Sequence, residues 1–186
     1  MTESPTLHLI VGLPGVGKTT LARKIAHEVN AVRFTPDQWM IPLFGTTWRE
    51  PDFGGKRDVL EGRLLWAAHE VLGIGGCVVL DFGCWAESER WAVRALTEHA
   101  GGRFRLHFVD VPEAERRARA TARWEGEPGY TFEMRPGDHD RFLGIFQAKS
   151  FCNFSKIFFS FPGYLKEFFF SQEKKIFNFN QHPVFH

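Results

Sequence analysis

An α/β fold, a parallel β-sheet with helices on both faces, is what the sequence predicts, and three observations predict it. Short apolar stretches alternate with stretches of helical spacing through most of the chain. A glycine-rich turn, GLPGVGKTT from Gly12 to Thr20, stands between the first strand-like and the first helix-like stretch. A later apolar run, CVVLDFG from Cys77 to Gly83, ends in a carboxylate, as buried parallel strands often do where they leave the core.

The elements follow in order. LHLIV, Leu7 to Val11, reads as a short buried strand, and after the turn Leu21, Ile25 and Val29 recur at helical spacing. AVRF, residues 31 to 34, is a second strand stopped by Thr35-Pro36-Asp37. Gly55 to Leu72 reads as a helix with Leu60, Leu64, Ala67, Ala68 and Val71 on one face, ended by Gly73 and by Gly75-Gly76. After the strand beginning at Cys77, Ala86 to His99 is a further helix closed by Gly101-Gly102. RFRLHFVD then alternates strictly, Phe104, Leu106 and Phe108 against Arg103, Arg105 and His107. A strand with one polar face belongs at the rim of the sheet.

The turn carries chemistry. Gly12, four residues, then Gly17-Lys18-Thr19 fits G-x-x-x-x-G-K-[ST]. Glycines at 12, 15 and 17 let the backbone turn successive N–H groups, including those around Val16 and Thr20, inward on an anion. Lys18 reaches the β and γ phosphates of a nucleotide. Thr19 offers a hydroxyl to Mg²⁺, and the helix starting here points its positive end at the same place. The plain alternative is a glycine turn with no ligand, which the strand, loop, helix order argues against.

Ligands of open parallel sheets bind beyond the carboxyl ends of the strands, so residues that follow each strand share a rim with this loop. Asp81 closes the run VVLD, where a carboxylate holds Mg²⁺ opposite Thr19; otherwise it is a turn or cap aspartate. Asp37, in TPDQW, is placed to accept the proton of an attacking hydroxyl, or else is a turn residue after Pro36. In VPEAERRARATARWEGEPGYTF, Pro112, Glu113 and Glu115 suit the start of a helix. Arg119 and Arg123, four apart on one face, would then close over a triphosphate. Their bland alternative is a solvated surface. Trp39, Trp48, Trp85 and Trp91 either line an acceptor pocket or belong to the core.

Together GLPGVGKTTLARKIA, TPDQW, VVLDFG and the Arg119 to Arg123 pair resemble the P-loop kinase-like AAA-33 group, over about Leu7 to Gln147. Its relatives include polynucleotide 5′-kinases, chloramphenicol phosphotransferase and zeta toxins. The resemblance implies a P-loop NTPase three-layer sandwich of strand order 2-3-1-4, ATP with Mg²⁺, Asp37 as base, and Arg119 and Arg123 as lid groups. Met40 stands where polynucleotide kinases have a basic residue, which turns the expectation for the hydroxyl-bearing acceptor toward a small molecule and away from nucleic acid. No N-K-x-D sequence is present to read guanine, and the chain is short for a motor ATPase. The reading is therefore a small kinase, with an ATP-binding or slowly hydrolysing regulatory module as the alternative.

Composition frames these expectations. At 186 residues and a formal charge of +1, the chain reads as one domain with no broad electrostatic surface for nucleic acid or anionic lipid. Cys77, Cys84 and Cys152 are too few and too irregular for a disulfide framework or a zinc site. MTESPTLHLI has no basic region leading an apolar run and no stretch is long enough to span a membrane, so the expectation is cytoplasmic. From Phe142 onward the composition breaks: thirteen of the twenty phenylalanines lie there and no arginine follows Arg141. Residues 1 to 147 read as the kinase-like domain. Residues 148 to 186 read as an aberrant Phe-rich tail from a frameshift, a fusion or a misassembled frame, with a genuine aromatic interaction segment as the alternative.

Overall fold

The computed structural model describes residues 4–45, 49–126 and 131–147. Residues 1–3, residues 46–48 with Trp48, residues 127–130 and the tail from residue 148 lie outside the described residues. Four strands form one sheet: β1 (Thr6–Val11), β2 (Ala31–Phe34), β3 (Cys77–Leu80) and β4 (Arg103–Phe108), in the order β2-β3-β1-β4, all parallel. This is the 2-3-1-4 order that the sequence resemblance implies. Six helices accompany it: α1 (Lys18–Glu28), α2 (Pro36–Phe44), α3 (Phe53–Gly73), α4 (Glu87–His99), α5 (Glu113–Gly126) and α6 (Pro136–Ile145).

The central strand is apolar because both its faces are covered. Leu7, Leu9, Ile10 and Val11 of β1 and Val78, Val79 and Leu80 of β3 have no exposure to solvent. On one side Ile10 and Val79 meet Ala22 and Ile25 of α1, with Leu21, Ala26 and Val29 at the margin. Helices α3 and α4 pack against each other, α3 on β3 and α4 on β4 and β1. Full burial of one such aliphatic side chain is worth about 1.5–3 kcal/mol. His8 breaks the apolar run of β1, and it is accommodated by a partner across the strand: its ring stacks on His107 of β4, with Nδ1 and Nε2 2.9 Å apart.

Two helices were not expected. Thr35-Pro36-Asp37 reads as a stop, but Pro36 opens α2 at its first position and Asp37 sits in its first turn. Pro136 does the same for α6, whose start is closed by the Arg135 N–H donating to Asp138 Oδ2 at 2.7 Å. The long helix runs from Phe53 rather than Gly55, and its buried face is Phe53, Leu60, Leu64, Ala68 and Leu72; Ala67 and Val71 are only half-buried. At the rim, β4 is exposed as its alternation predicts, although Phe108 is itself 44% exposed and lies against the ring of Phe146.

Register brings the strand ends level. Val11 pairs with Phe108, and Phe34 pairs with Leu80. The ladder continues one step further: the Asp81 N–H donates to Phe34 O at 2.9 Å, and the Val109 N–H donates to Val11 O at 2.9 Å. Gly12, Thr35 and Asp81 therefore leave the sheet along the same edge, the one at which open parallel sheets bind ligands.

Candidate functional site

The loop from Gly12 to Gly17 connects β1 to α1, and its glycines answer to sterics. A side chain at Gly12 would stand 2.4 Å from Val109 O, because the loop leaves β1 hard against the end of β4. Gly15 has φ +89 and packs its backbone on α5; a Cβ there would stand 2.1 Å from Arg116 O. Gly17, also left-handed at φ 98, caps α1, so Lys18, Thr19 and Thr20 form its first turn. Val16 is buried beneath the loop, whereas Thr20 is exposed. Nothing acidic occupies that first turn, so the positive end of α1 is unneutralised there.

Lys18 bends back over the loop and donates from Nζ to Leu13 O at 3.0 Å. Burial pulls its ammonium below the ordinary lysine value, and the charges of Asp81 and Asp37 work against that pull. Both acids thus lie within electrostatic reach of the lysine. Asp81 is buried, and burial pushes its carboxyl above the usual range, opposed by a hydrogen bond with the Thr19 side chain and by Lys18. Its Oδ2 accepts no hydrogen bond among the described residues, and the nearest cation, Arg33 Nη1, is 4.0 Å away. A buried carboxylate oxygen left so costs free energy unless a cation satisfies it. With the Thr19 hydroxyl beside it, this donor set fits a hard divalent cation.

Asp37 is placed by the start of α2, whose positive end favours its charge. Burial opposes ionisation, but Arg57 outweighs it by charge and by a hydrogen bond, with help from Lys18 and Arg123, and holds the carboxyl below the usual range. Arg57 Nη1 donates to Asp37 Oδ1 at 2.7 Å. The side chain of Asp37 remains 44% exposed, so the group is open at the rim.

Helix α5 is positioned by its first turns. Arg116 is buried, donates to His139 Nδ1 at 2.9 Å, and reaches Pro14 O at 3.5 Å. Guanidinium only donates, so His139 is neutral at Nδ1; burial lowers its proton affinity, and Arg116 and Arg117 add to the effect. Beyond that anchor Ala120 is buried, and most of the remaining side chains of the helix are exposed. Arg119 pairs with Glu115, and its Nη1 stands 3.8 Å from where a side chain on Gly17 would begin. Arg123, on the same face, is exposed yet close enough for its charge to act on Lys18, Asp37 and Arg33.

The structure thus gathers the residues singled out in the sequence around one mouth and adds others. Arg33 binds the Thr35 side chain and donates to Gln38 Oε1 at 2.9 Å, so it links β2 to α2 beside Asp81. Arg57 and Arg33 escape sequence reasoning because neither belongs to a motif, and their partners are fixed only by the packing of α2. Trp85 donates to Gly12 O at 3.4 Å and packs its ring at a tilt on that of Phe142, so it props the loop. Trp39 is 46% exposed two residues beyond Asp37, and Trp91 is held by Glu87. Cys84 sits in a left-handed conformation, and burial, with Glu89 and Glu61, pushes its thiol well above the ordinary value, which makes it a poor nucleophile.

A strand, glycine loop, lysine and helix at the head of a 2-3-1-4 parallel sheet define a P-loop NTPase of the kinase type. The chain belongs to the AAA-33 family, an AAA domain, which matches residues 7–141. Among curated proteins none matches in sequence. Solved structures agree in fold. A chain of the Pnkp1/Rnl/Hen1 RNA repair complex is 23% identical with a TM-score of 0.63, covering 90% of this chain and 51% of that one. The protein thus spans about half the length of that relative. Kti12 from Chaetomium thermophilum, in complex with ADP-AlF3, is 16% identical over 94% of this chain and 96% of its own, with a TM-score of 0.61. A gluconokinase from Sinorhizobium meliloti 1021 is 16% identical over 96% and 99%, with a TM-score of 0.53. No helix among the described residues is long and apolar enough to cross a membrane.

Proposed function

We propose that the protein is a small kinase that moves the γ-phosphoryl group of ATP to the hydroxyl of a small-molecule acceptor. The observation that carries this reading is Asp37: an ionised carboxylate at the rim, open to solvent and within the field of the P-loop lysine. A pure nucleotide-binding module has no use for such a group there. Gly12, Gly15, Val16, Gly17, Thr19 and Thr20 supply the phosphate cradle, and Lys18 attracts the β and γ oxygens. Thr19 and Asp81 would hold Mg²⁺, which, when bound with ATP, neutralises charge on the phosphates. Arg119 and Arg123 stand on the lid helix where they would offset charge on the transferring group. Asp37 accepts the hydrogen bond of the acceptor hydroxyl and orients its oxygen toward phosphorus.

Charge on the acceptor side favours a small molecule over a polyanion. Lys56 is paired with Asp52, Arg57 with Asp37 and Glu61, and Arg49 with Asp138 and Glu133. Met40, three residues after Asp37, is fully buried and adds no charge. A nucleic acid strand would have to displace these carboxylates to find cations.

ATP labelled in its γ-phosphate, offered with a panel of polyols, sugars, hydroxylated antibiotics and 5′-hydroxyl oligonucleotides, tests the reading. Label should move to one of the small hydroxyl compounds, with Lys18→Ala as the control. Label released only to water, at the same rate whatever is added, would instead make the protein a slowly hydrolysing binding module.

A further inference from the structure

We propose that Arg57 is a positioning residue: it clamps one oxygen of Asp37, leaves the other for the acceptor, and is itself held by Glu61. The inference rests on the reading of Asp37 given above, and goes beyond it by assigning a task to two residues on a different helix.

Two edges of one planar guanidinium are engaged at once. Arg57 Nη1 meets Asp37 Oδ1 at 2.7 Å, while its Nε meets Glu61 Oε1 at 2.8 Å. Arg57 and Glu61 are one turn apart on α3, so Glu61 fixes the plane of the fork from behind while the fork reaches across to α2. Such a charge-assisted contact fixes the rotation of the Asp37 carboxylate as well as its charge. Arg57 takes Oδ1, and Oδ2 is the other oxygen of a side chain that stays 44% exposed. That oxygen is the one left for an incoming hydroxyl.

Clamping also settles what kind of base Asp37 is. A carboxylate with depressed proton affinity is a weak acceptor of a full proton but a dependable acceptor of a hydrogen bond. In a loose phosphoryl-transfer transition state the attacking oxygen keeps its proton until late, so orientation matters more than basicity. As the step proceeds, the acceptor oxygen forms its bond to the γ-phosphorus, and the bond from that phosphorus to the bridging oxygen breaks. ADP leaves with the electron pair, and the acceptor proton passes to Asp37 Oδ2. Glu61 is suited to its supporting part because burial pushes its own carboxyl upward while Arg57 draws it back; without the arginine that upward push would be opposed by less.

The test uses the full chain with Arg57→Met, Arg57→Lys and Glu61→Gln. Two readouts are needed: the titration of the Asp37 carboxyl carbon by NMR, and the pH profile of Mg·ATP turnover with water standing where the acceptor hydroxyl would. In Arg57→Met the Asp37 titration should move up toward the ordinary carboxylate range, and the acid limb of turnover should move with it. Turnover at neutral pH should fall about tenfold to a hundredfold, while binding of the non-hydrolysable analogue AMPPNP stays within about twofold. Arg57→Lys should restore the charge but not the two-edged hold, and so recover the titration better than the rate. Glu61→Gln keeps the shape of the contact and should give a smaller loss of the same kind, in case Arg57→Met does not fold. If Arg57→Met and Glu61→Gln leave both the titration and the acid limb where they were, while Asp37→Asn stops turnover, the role of Arg57 is wrong and the reading of Asp37 stands. If Asp37→Asn turns over as fast as the parent, both fall.

Discussion

Lys18 and Asp81 sit in opposite electrostatic predicaments within one site. Burial disfavours the charge of each, and each is the other's relief. Removing the ammonium by Lys18→Ala should cost about 1.5–3 kcal/mol of phosphate binding or more in the transition state, read as nucleotide affinity by calorimetry and as turnover. Asp81 makes a prediction with a sign. Its folded carboxyl is raised above the ordinary value, so ionising it in the ligand-free protein costs stability as pH rises through that raised value. Asp81→Asn should therefore raise the melting temperature of the ligand-free protein at neutral pH, while the Mg²⁺ requirement of nucleotide binding rises several-fold. In the parent, Mg²⁺ affinity should weaken as pH falls, because protons compete for the same oxygen, and in Asp81→Asn that pH dependence should flatten. At this scale the motif residues were legible because each has a job that few residue types can do. Arg57 was not, since twenty positions separate it from Asp37 and only a folded α2 brings them within 2.7 Å.

Elements add a second source of pH dependence, remote from the nucleotide loop. His8 and His107 face each other from neighbouring strands; burial, then His107 and Arg105, lower His8 from 6.5 to about 4. Above pH 6.5 both the folded and the unfolded chain carry this histidine neutral, so its contribution does not change. Below 6.5 the unfolded chain takes up the proton and the folded one resists until about 4, so stability should decline across that window. Urea unfolding between pH 7 and 4 measures it, and His8→Leu, which suits the apolar setting of β1, should flatten that part of the curve. The strands and helices α1, α3, α4 and α5 were legible from apolar spacing, glycine stops and first-turn residues. Helices α2 and α6 were not, because Pro36 and Pro136 read as punctuation where they are in fact first-turn residues. Gly15 shows why α5 had to be seen in place. A Gly15→Ala side chain meets the backbone of Arg116, so it should displace α5 and lower turnover by more than it lowers thermal stability.

On the scale of the whole molecule the question is how much chain the site requires. Among the described residues, the elements that set the loop, the two acids and α5 lie at or before Gln147, five residues after the composition begins to change at Phe142. Gln147 itself is tied in: its N–H donates to Trp85 O at 3.1 Å, its carbonyl receives Arg90 Nη2 at 2.8 Å, and its side chain receives the Glu87 N–H at 2.8 Å. Trp85 in turn supports Gly12 of the loop. We therefore expect a chain ending at Gln147 to bind AMPPNP with the affinity of the full protein and to melt at a similar temperature. It should also be more soluble, because a long aromatic segment of low charge favours aggregation. A chain ending two residues earlier, at Ile145, should behave differently. It loses those three hydrogen bonds, each worth about 0.5–1.5 kcal/mol, and leaves the buried Arg90 short of an acceptor, so it should melt lower and bind the analogue more weakly. The contrast between the two end points locates the boundary. Loss of folding or of nucleotide binding already in the chain ending at Gln147 would show that residues 148 to 186 belong to the working protein, and the reading of the tail as aberrant would have to be abandoned.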